Sequence, residues 1–584
     1  MEVSYKYASP SVCVAENGNT TLGLCPDGSR DEKVSFKGRL KRPLVFRDAM
    51  LMLRQIVVSD ATRQKKERPE FFQWLEGEIE RRAVEHERHQ PGIRMELQNA
   101  IGELASQLAS KDSEITAASR ASIRLNREID SDAWGNFYRL QGKFSSFLRF
   151  RDPDLYFALD PVITVHPDEV SFEAFSIDES VYGCLSVKMD EFDLLQEPGL
   201  GTTNIDFSAK LATEIERFRT YSQVQLSVNP LGFAVDTGMA PGYIEKKIDL
   251  PESWVKGFTQ VSSAASMDGA TIDLSPVDMY DICAFLRRHN TQTSPRYMKW
   301  ALEKGKPARI VFEPYGAVLE LKAEYTGENQ REEKIWGRQR WLVAEKLIPL
   351  AKSFQVKFLG FGMPQFIIAD LGNITMTIGF SSWSANDWVK GTAFNLMSGF
   401  IGDGAYEEVY SLLKERRKID VSSIHSLIGG KKKSEVTSGI GAVLKRGEGY
   451  FDAANNVLRF RKLMSEPLPP HLYETTPAEL AVAELMGKSL EDWQACMKPT
   501  REYLFTNRYQ ESGRTIQTEI EIDMDGQISA VKCQCREFNK GQRNISAPCP
   551  HIIALYLASA KFTRYDLQQG IEYKINDILP ELLG

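Results

Sequence analysis

Cys533-Gln534-Cys535 is followed, after 13 residues, by Cys549-Pro550-His551. Three thiolates and one imidazole fill a tetrahedral zinc shell and leave no open position for water. Such a closed site is structural, and its metal binding contributes directly to folding. The spacing argues against thiol redox chemistry, which uses two intervening residues where Cys533 and Cys535 have one. Three ordinary buried cysteines beside a helix-start histidine are the plainer alternative. The cofactor this pattern predicts is one structural zinc ion.

Local elements must bring the four donors together. Arg514–Ile522 and residues 527–533 are β-rich stretches around Asp525-Gly526, a strong hairpin signal. Residues two apart at a strand end point to one face, so Cys533 and Cys535 aim the same way. Pro550 suits the first turn of a helix, where its missing N–H is not needed. That helix continues through Ile552, Ile553, Leu555 and Tyr556. Cys549 and His551 then sit at its start, facing the hairpin.

The arrangement C-x-C, a variable gap and C-x-H on strand–strand–helix resembles the SWIM-type zinc finger, with Cys533, Cys535, Cys549 and His551 at its four ligand positions. The module covers about 514–560, within a region 514–584 that ends in further helices. The resemblance implies zinc, with DNA or protein as the partner. Residues 160–176, 202–208 and 379–388 are similar to segments of large bacterial SWIM-finger proteins of unassigned function. That wider resemblance brings no catalytic residues. It implies an AAA+ ATPase or a von Willebrand A-domain protein as a partner.

Residues 405–463, in a domain read as 403–465, follow a helix–turn–helix–wing pattern. The first helix carries Val409, Leu412 and Leu413. The second, 422–428, turns Ile424, Leu427 and Ile428 inward. The third, about 434–445, places Val436, Ile440, Val443 and Leu444 on one face. Residues 450–452 and 457–460 form a hairpin turning at Asn455-Asn456. In outline this resembles a winged helix–turn–helix domain. From Asp403 to Leu463 there are 12 Lys/Arg and 8 Asp/Glu. Lys431, Lys432 and Lys433 precede the third helix, and Arg459, Arg461 and Lys462 lie on the wing. These cations are placed to neutralise DNA phosphates while the third helix enters the major groove. The short Ser434, Thr437 and Ser438 argue against base readout. The zinc module adds Lys532, Arg536, Lys540 and Arg543, opposed by Glu537. A winged helix that binds only protein is the alternative.

The remaining chain positions these modules. It reads as an irregular or β segment (1–45), a helical hairpin or short coiled coil (46–150), two α+β domains (151–270 and 271–402) and a linker with a helix (466–513). Leu97, Ile101, Leu104 and Leu108 form the coiled-coil seam. The fold class is α+β multidomain. Apolar residues at 42%, charged residues at 26% and a net charge of −7 exclude both a wholly disordered chain and a polybasic coat. No run of about 18 uncharged apolar residues predicts a membrane span. Residues 1–10 lack a basic stretch followed by an apolar core, so no leader is expected and the chain reads as cytoplasmic.

Other chemistry-bearing residues carry weaker signals. His86 and His89 sit on a charged stretch, and His166 lies near Asp160 and Asp168. Glu320-Leu321-Lys322 is half of a nuclease pattern. Trp383 and Trp388 flank Asn386-Asp387. No phosphate loop and no dinucleotide fingerprint is present. The expected function is therefore non-enzymatic: a zinc-binding DNA-binding or adaptor component of a larger assembly. A pure protein-interaction scaffold is the alternative, and a metal-dependent nuclease the distant one.

Overall fold

A computed structural model of the chain describes residues 12–59, 99, 161–229 and 252–560, with interruptions at 17–18, 25–33, 206–208, 222, 291–294, 329, 361, 382–387, 389–392, 465–467, 488–493, 499–501, 512, 525–527 and 541–547. The chain divides into two compact units, one of residues 1–61 with 158–584 and one of 62–157. Every element below belongs to the first. The seam of Leu97, Ile101, Leu104 and Leu108 and the C-terminal helices expected beyond 560 lie outside the described residues.

The fold is mixed α/β. Its largest element is an antiparallel eight-stranded sheet in the order Ala270–Leu274, Ser353–Phe358, Gln365–Asp370, Ile374–Phe380, Val181–Lys188, Glu169–Phe175, Val162–Val165 and Gly201–Asn204. The central pairing joins Ile374–Phe380 to Val181–Lys188. The boundary expected at 270 therefore runs through a single sheet, because its two halves pair along their central strands. The N-terminal segment also joins distant chain. Val12–Glu16, Asn19–Leu24 and Phe36–Leu40 form a five-stranded sheet with Gln223–Val228 and Phe192–Leu194.

Both faces of the eight-stranded sheet are covered. Helix Pro43–Val57 starts with Pro at its first turn, and Phe46, Ala49, Met50, Leu53, Ile56 and Val57 make one apolar stripe. That stripe packs with Leu185 and Val187. It comes so close that a Cβ on Gly183 would stand 2.7 Å from Ile56 Cδ1. Tyr182 and Cys184, which alternate with these residues, pack instead with Trp254 and Phe258 of helix Glu252–Ser266.

A four-stranded sheet (Ala317–Glu324, Pro307–Phe312, Met298–Leu302, Arg331–Ile335) holds a buried acid. Glu333 pairs across strands with Trp300, and both are buried. Neither the indole nitrogen nor either carboxylate oxygen has a hydrogen-bond partner among the described residues. Burial pushes the Glu333 carboxyl up to about 8, against the pull of Arg331, which stands 3.9 Å away. The folded carboxyl therefore holds its proton through a range where the unfolded chain has lost it. Its stabilising contribution is whole below the ordinary carboxylate range. It falls by about 1.4 kcal/mol per pH unit up to about pH 8. Glu333→Gln should remove that slope. The variant should match the parent in urea midpoint near pH 4 and exceed it near pH 8; parallel profiles would mean that Glu333 is ionised in the fold.

Residues 406–460 form helix Tyr406–Arg416, strand Lys418–Asp420, helices Val421–Leu427 and Lys433–Lys445, and a hairpin of Gly449–Asp452 and Val457–Phe460. The three strands make one sheet with Val457–Phe460 in the middle. The apolar faces expected of these helices close on one another through Val409, Leu413, Ile424, Val436, Ile440 and Leu458. The stretch expected to be a linker, 466–513, contains helix Pro477–Gly487 but also two strands, Gln494–Met497 and Tyr503–Glu511. Those strands join the C-terminal sheet, so that module begins before 514.

Candidate metal centre

The C-terminal sheet runs in the order Gln494–Met497, Tyr503–Glu511, Arg514–Ile522 and Ile528–Cys533. Its inner face alternates with polar positions, as in Tyr503, Phe505, Asn507 and Tyr509, or Ile516, Thr518, Ile520 and Ile522. Helix Pro550–Ala560 lies on that face, burying Ile552, Leu555 and Leu557. The turn expected at Asp525-Gly526 lies outside the described residues, but the pairing of Arg514–Ile522 with Ile528–Cys533 is antiparallel as anticipated.

This frame brings all four donors together. Cys533 closes the last strand opposite Thr518. Cys535 precedes the short helix Arg536–Asn539. Cys549 accepts the N–H of Ile553 at its carbonyl as the final helix begins, with Pro550 in its first turn. The donor atoms of Cys533, Cys535, Cys549 and His551 lie within 4.8 Å of one another, and all four residues are buried. The Cys535 N–H donates to the Cys533 sulfur at 3.4 Å, and the Thr518 hydroxyl lies 3.5 Å from the same sulfur. Both ring nitrogens of His551 are buried without a hydrogen-bond partner among the described residues. Hydrogen bonding with Cys549 pulls the Cys533 thiol down to about 4 despite its burial. The same contact, with burial, pushes the Cys549 thiol up. Buried thiols sharing a proton beside an orphaned imidazole are a donor set that a soft or borderline cation fits. Four protein donors complete a tetrahedral shell and leave no position for a substrate.

The cations expected to meet DNA are distributed differently. Arg459 and Arg461 are each 1% exposed. Arg459 pairs with Asp452 at 2.8 Å, Asp168 at 2.8 Å and Glu169 at 2.9 Å. Arg461 makes a two-pronged contact with Glu173 at 2.7 and 2.8 Å, and its guanidinium stands over the rings of Phe258 and Tyr450. The hairpin is thus pinned to the eight-stranded sheet, and these two arginines are not phosphate contacts. The third helix is covered as well: residues 439–445 are all buried, and a Cβ on Gly441 would stand 2.3 Å from the Phe400 Cβ. Its N-terminal residues 433–435 stay exposed. Lys431 is paired with Glu408 at 2.9 Å. Lys432 and Lys433 are exposed, and Lys462 is partly buried. In the C-terminal module Lys532 pairs with Glu519 at 3.0 Å, Arg536 and Lys540 are exposed, and Arg543 lies outside the described residues.

Among the weaker signals that are described, His166 and Trp388 resolve into packing. His166 is buried, with Nε2 3.4 Å from the Tyr450 hydroxyl. Burial and the neighbouring Arg459 pull it down to about 3, so it is neutral. Burial would raise the Asp168 carboxyl, but hydrogen bonds from Arg459 and Lys418 hold it at about 2. Glu320 and Lys322 are exposed on strand Ala317–Glu324. The Lys322 N–H donates to Asp278, which itself caps helix Pro276–Arg288. Trp388 is buried and donates to the Gly379 carbonyl at 3.3 Å. His86, His89, Asp160, Trp383, Asn386 and Asp387 lie outside the described residues. Of the acids that neutralise the wing, Asp452 lies on the hairpin itself, whereas Glu169 and Glu173 carried no local signal, since only tertiary packing brings them to it.

No helix among the described residues is long and apolar enough to cross a membrane. No protein-family model matches the chain, and no curated protein matches it. Among solved structures it is similar to proliferating cellular nuclear antigen from Entamoeba histolytica, at 11% identity over 39% of this chain and 92% of that one, with a TM-score of 0.28. It is also similar to the DNA polymerase sliding clamp from Bacillus subtilis, at 13% identity over 39% of this chain and 57% of that one, again with a TM-score of 0.28. At that score neither likeness bears on function.

Proposed function

We propose that the chain is a non-enzymatic, zinc-stabilised adaptor of the cytoplasm, a scaffold that holds protein partners in a larger assembly. The observation that carries this reading is the closed, buried Cys533–Cys535–Cys549–His551 donor set, which has a structural shape and no place for a reactant. In this reading the C-terminal module is a SWIM-type finger and residues 405–463 are a winged helix used as an internal building block. Protein is preferred over DNA because the wing arginines and the C-terminal half of the third helix are both consumed by packing within the chain. An AAA+ ATPase or a von Willebrand A-domain protein is the partner class that the bacterial resemblance suggests. Affinity capture from the native cell, with and without nuclease treatment, tests the reading. Protein partners should persist after nuclease; their loss would favour nucleic acid as the ligand.

A second reading, duplex DNA held by backbone contacts alone, is favoured by the exposed Lys431, Lys432 and Lys433 at the start of helix Lys433–Lys445. It makes a sharp forecast. Neutralising all three should flatten the slope of log affinity against log salt by about 0.9 per lost phosphate contact, with no change in sequence preference. A duplex titration at two salt concentrations, parent against triple variant, checks it. On the adaptor reading the parent shows no salt-dependent duplex binding for the change to weaken.

A further inference from the structure

Strand Arg331–Ile335 is an edge of its four-stranded sheet and pairs along one side with Met298–Leu302. Its side chains alternate between two surroundings. Inward lies Glu333, opposite Trp300, with both carboxylate oxygens and the indole nitrogen buried and unpartnered among the described residues. Two titratable groups face that carboxyl. Arg331, on the same strand, reaches to 3.9 Å. The phenol of Tyr325, just past strand Ala317–Glu324, feels the charges of both. Segment Arg338–Leu347 and strand Ser353–Phe358 meet the Trp300 indole with rings, Trp341 at 5.8 Å and Phe358 at 5.1 Å between centroids. On its other side the strand holds the C-terminal module. Lys334 donates to the Tyr503 hydroxyl at 2.9 Å, and its ammonium stands 5.0 Å from the centre of that ring. One residue past the strand, Trp336 donates its indole N–H to the Met524 carbonyl at 2.8 Å.

A buried carboxylate without a partner is far costlier than the neutral acid, so Glu333 either keeps a proton or goes to water. Alternation forbids it to turn outward while the strand keeps its register. The strand must leave the sheet, and at an edge a single ladder of hydrogen bonds holds it. We propose that Arg331–Ile335 is a proton-operated clasp: with a proton on Glu333 it lies in the sheet and holds Tyr503 and Met524, and without that proton it leaves the edge and the C-terminal module loosens. The clasp acts whatever the module binds, so it does not rest on the adaptor reading. Its sign follows from the two states. The closed strand keeps the proton up to about pH 8, the open one only through the ordinary carboxylate range. Between those limits the open-to-closed ratio rises about tenfold per pH unit, and above them it levels off. Acid closes the clasp and alkali opens it.

Amide hydrogen exchange of the full-length chain, corrected for the intrinsic rate at each pH, reads the opening. Between about pH 5.5 and 7.5 the protection of residues 331–336 and 503–505 should fall about 100-fold in the parent and stay level in Glu333→Gln. At every pH these amides should be less protected than those of Val181–Lys188, which marks an opening smaller than unfolding. Trp336→Phe with Tyr503→Phe removes both tethers. In that variant residues 331–336 should keep the pH dependence and 503–505 should lose it. Level protection in the parent, protection equal to that of Val181–Lys188, or a module that still follows pH once untied overturns the proposal. Carbon NMR of the parent gives a reading that needs no variant. The Glu333 carboxyl should titrate near pH 8, and a carboxylate already ionised at about pH 6 in a protected strand refutes the clasp.

Discussion

Cys533→Ser or His551→Ala should strip the metal from the chain and unfold its C-terminal module. Cys533 is 5% exposed and ends a strand whose pairing holds the inner face in register. Without metal, three buried thiols and a buried imidazole remain crowded within 4.8 Å. In zinc-finger peptides the apparent binding free energy is about 10–16 kcal/mol, and that binding is the folding energy. The parent should carry one zinc per chain by elemental analysis, and each variant none. Hydrogen exchange should show protection lost across residues 503–560. The loss should extend to 334–336, because Lys334 donates to the Tyr503 hydroxyl at 2.9 Å and Trp336 to the Met524 carbonyl at 2.8 Å. Strands Val181–Lys188 and Ile374–Phe380 should keep their protection. Native, chelator-free parent protein lacking zinc would defeat this account.

Arg461→Ala should destabilise the fold by about 3–5 kcal/mol, the range for removing one partner of a buried ion pair. Glu173 is left 1% exposed with a charge that, among the described residues, the Tyr182 hydroxyl at 2.7 Å still meets. The sequence alone predicts a cation placed to meet DNA phosphates at this position, where the fold has a buried ion pair. A paired change, Arg461→Met with Glu173→Leu, should restore much of the loss, since a well-packed apolar pair often equals a buried ion pair. Urea midpoints of the parent, the single and the double variant measure this. A single variant within about 0.5 kcal/mol of the parent, the usual range for a surface substitution, would show that Arg461 is solvated.

The metal donors were legible because their signal is local. Cysteine type, a spacing of two, and a proline at a helix start each act within one turn or one strand end. The helices of 405–463 were legible for the same reason, through the period of Val436, Ile440, Val443 and Leu444. The wing misled because Leu458, Arg459, Phe460 and Arg461 alternate as a half-solvated strand does. Its polar face is in fact covered by Asp168, Glu169 and Glu173, which come from roughly 290 residues earlier. The join at 270 was hidden because the pairing of Val181–Lys188 with Ile374–Phe380 leaves no turn residue to read. Strand Tyr503–Glu511 was assigned to a linker because Asn507 breaks its apolar alternation.

The seating of helix Pro43–Val57 on Gly183 has a consequence for synthesis on the ribosome. Its apolar stripe is completed by the sheet and by the 3₁₀ segment Arg338–Leu347, which emerges roughly 280 residues after the helix does. At about 5–20 residues per second, the stripe waits on the order of 15–60 s for part of its cover. During that interval residues 62–157 are made as a separate unit. A nascent chain of this design presents Phe46, Met50, Leu53 and Val57 to whatever holds exposed apolar helices at the tunnel exit, and helix Pro43–Val57 is fully covered only after more than half of the chain has been made.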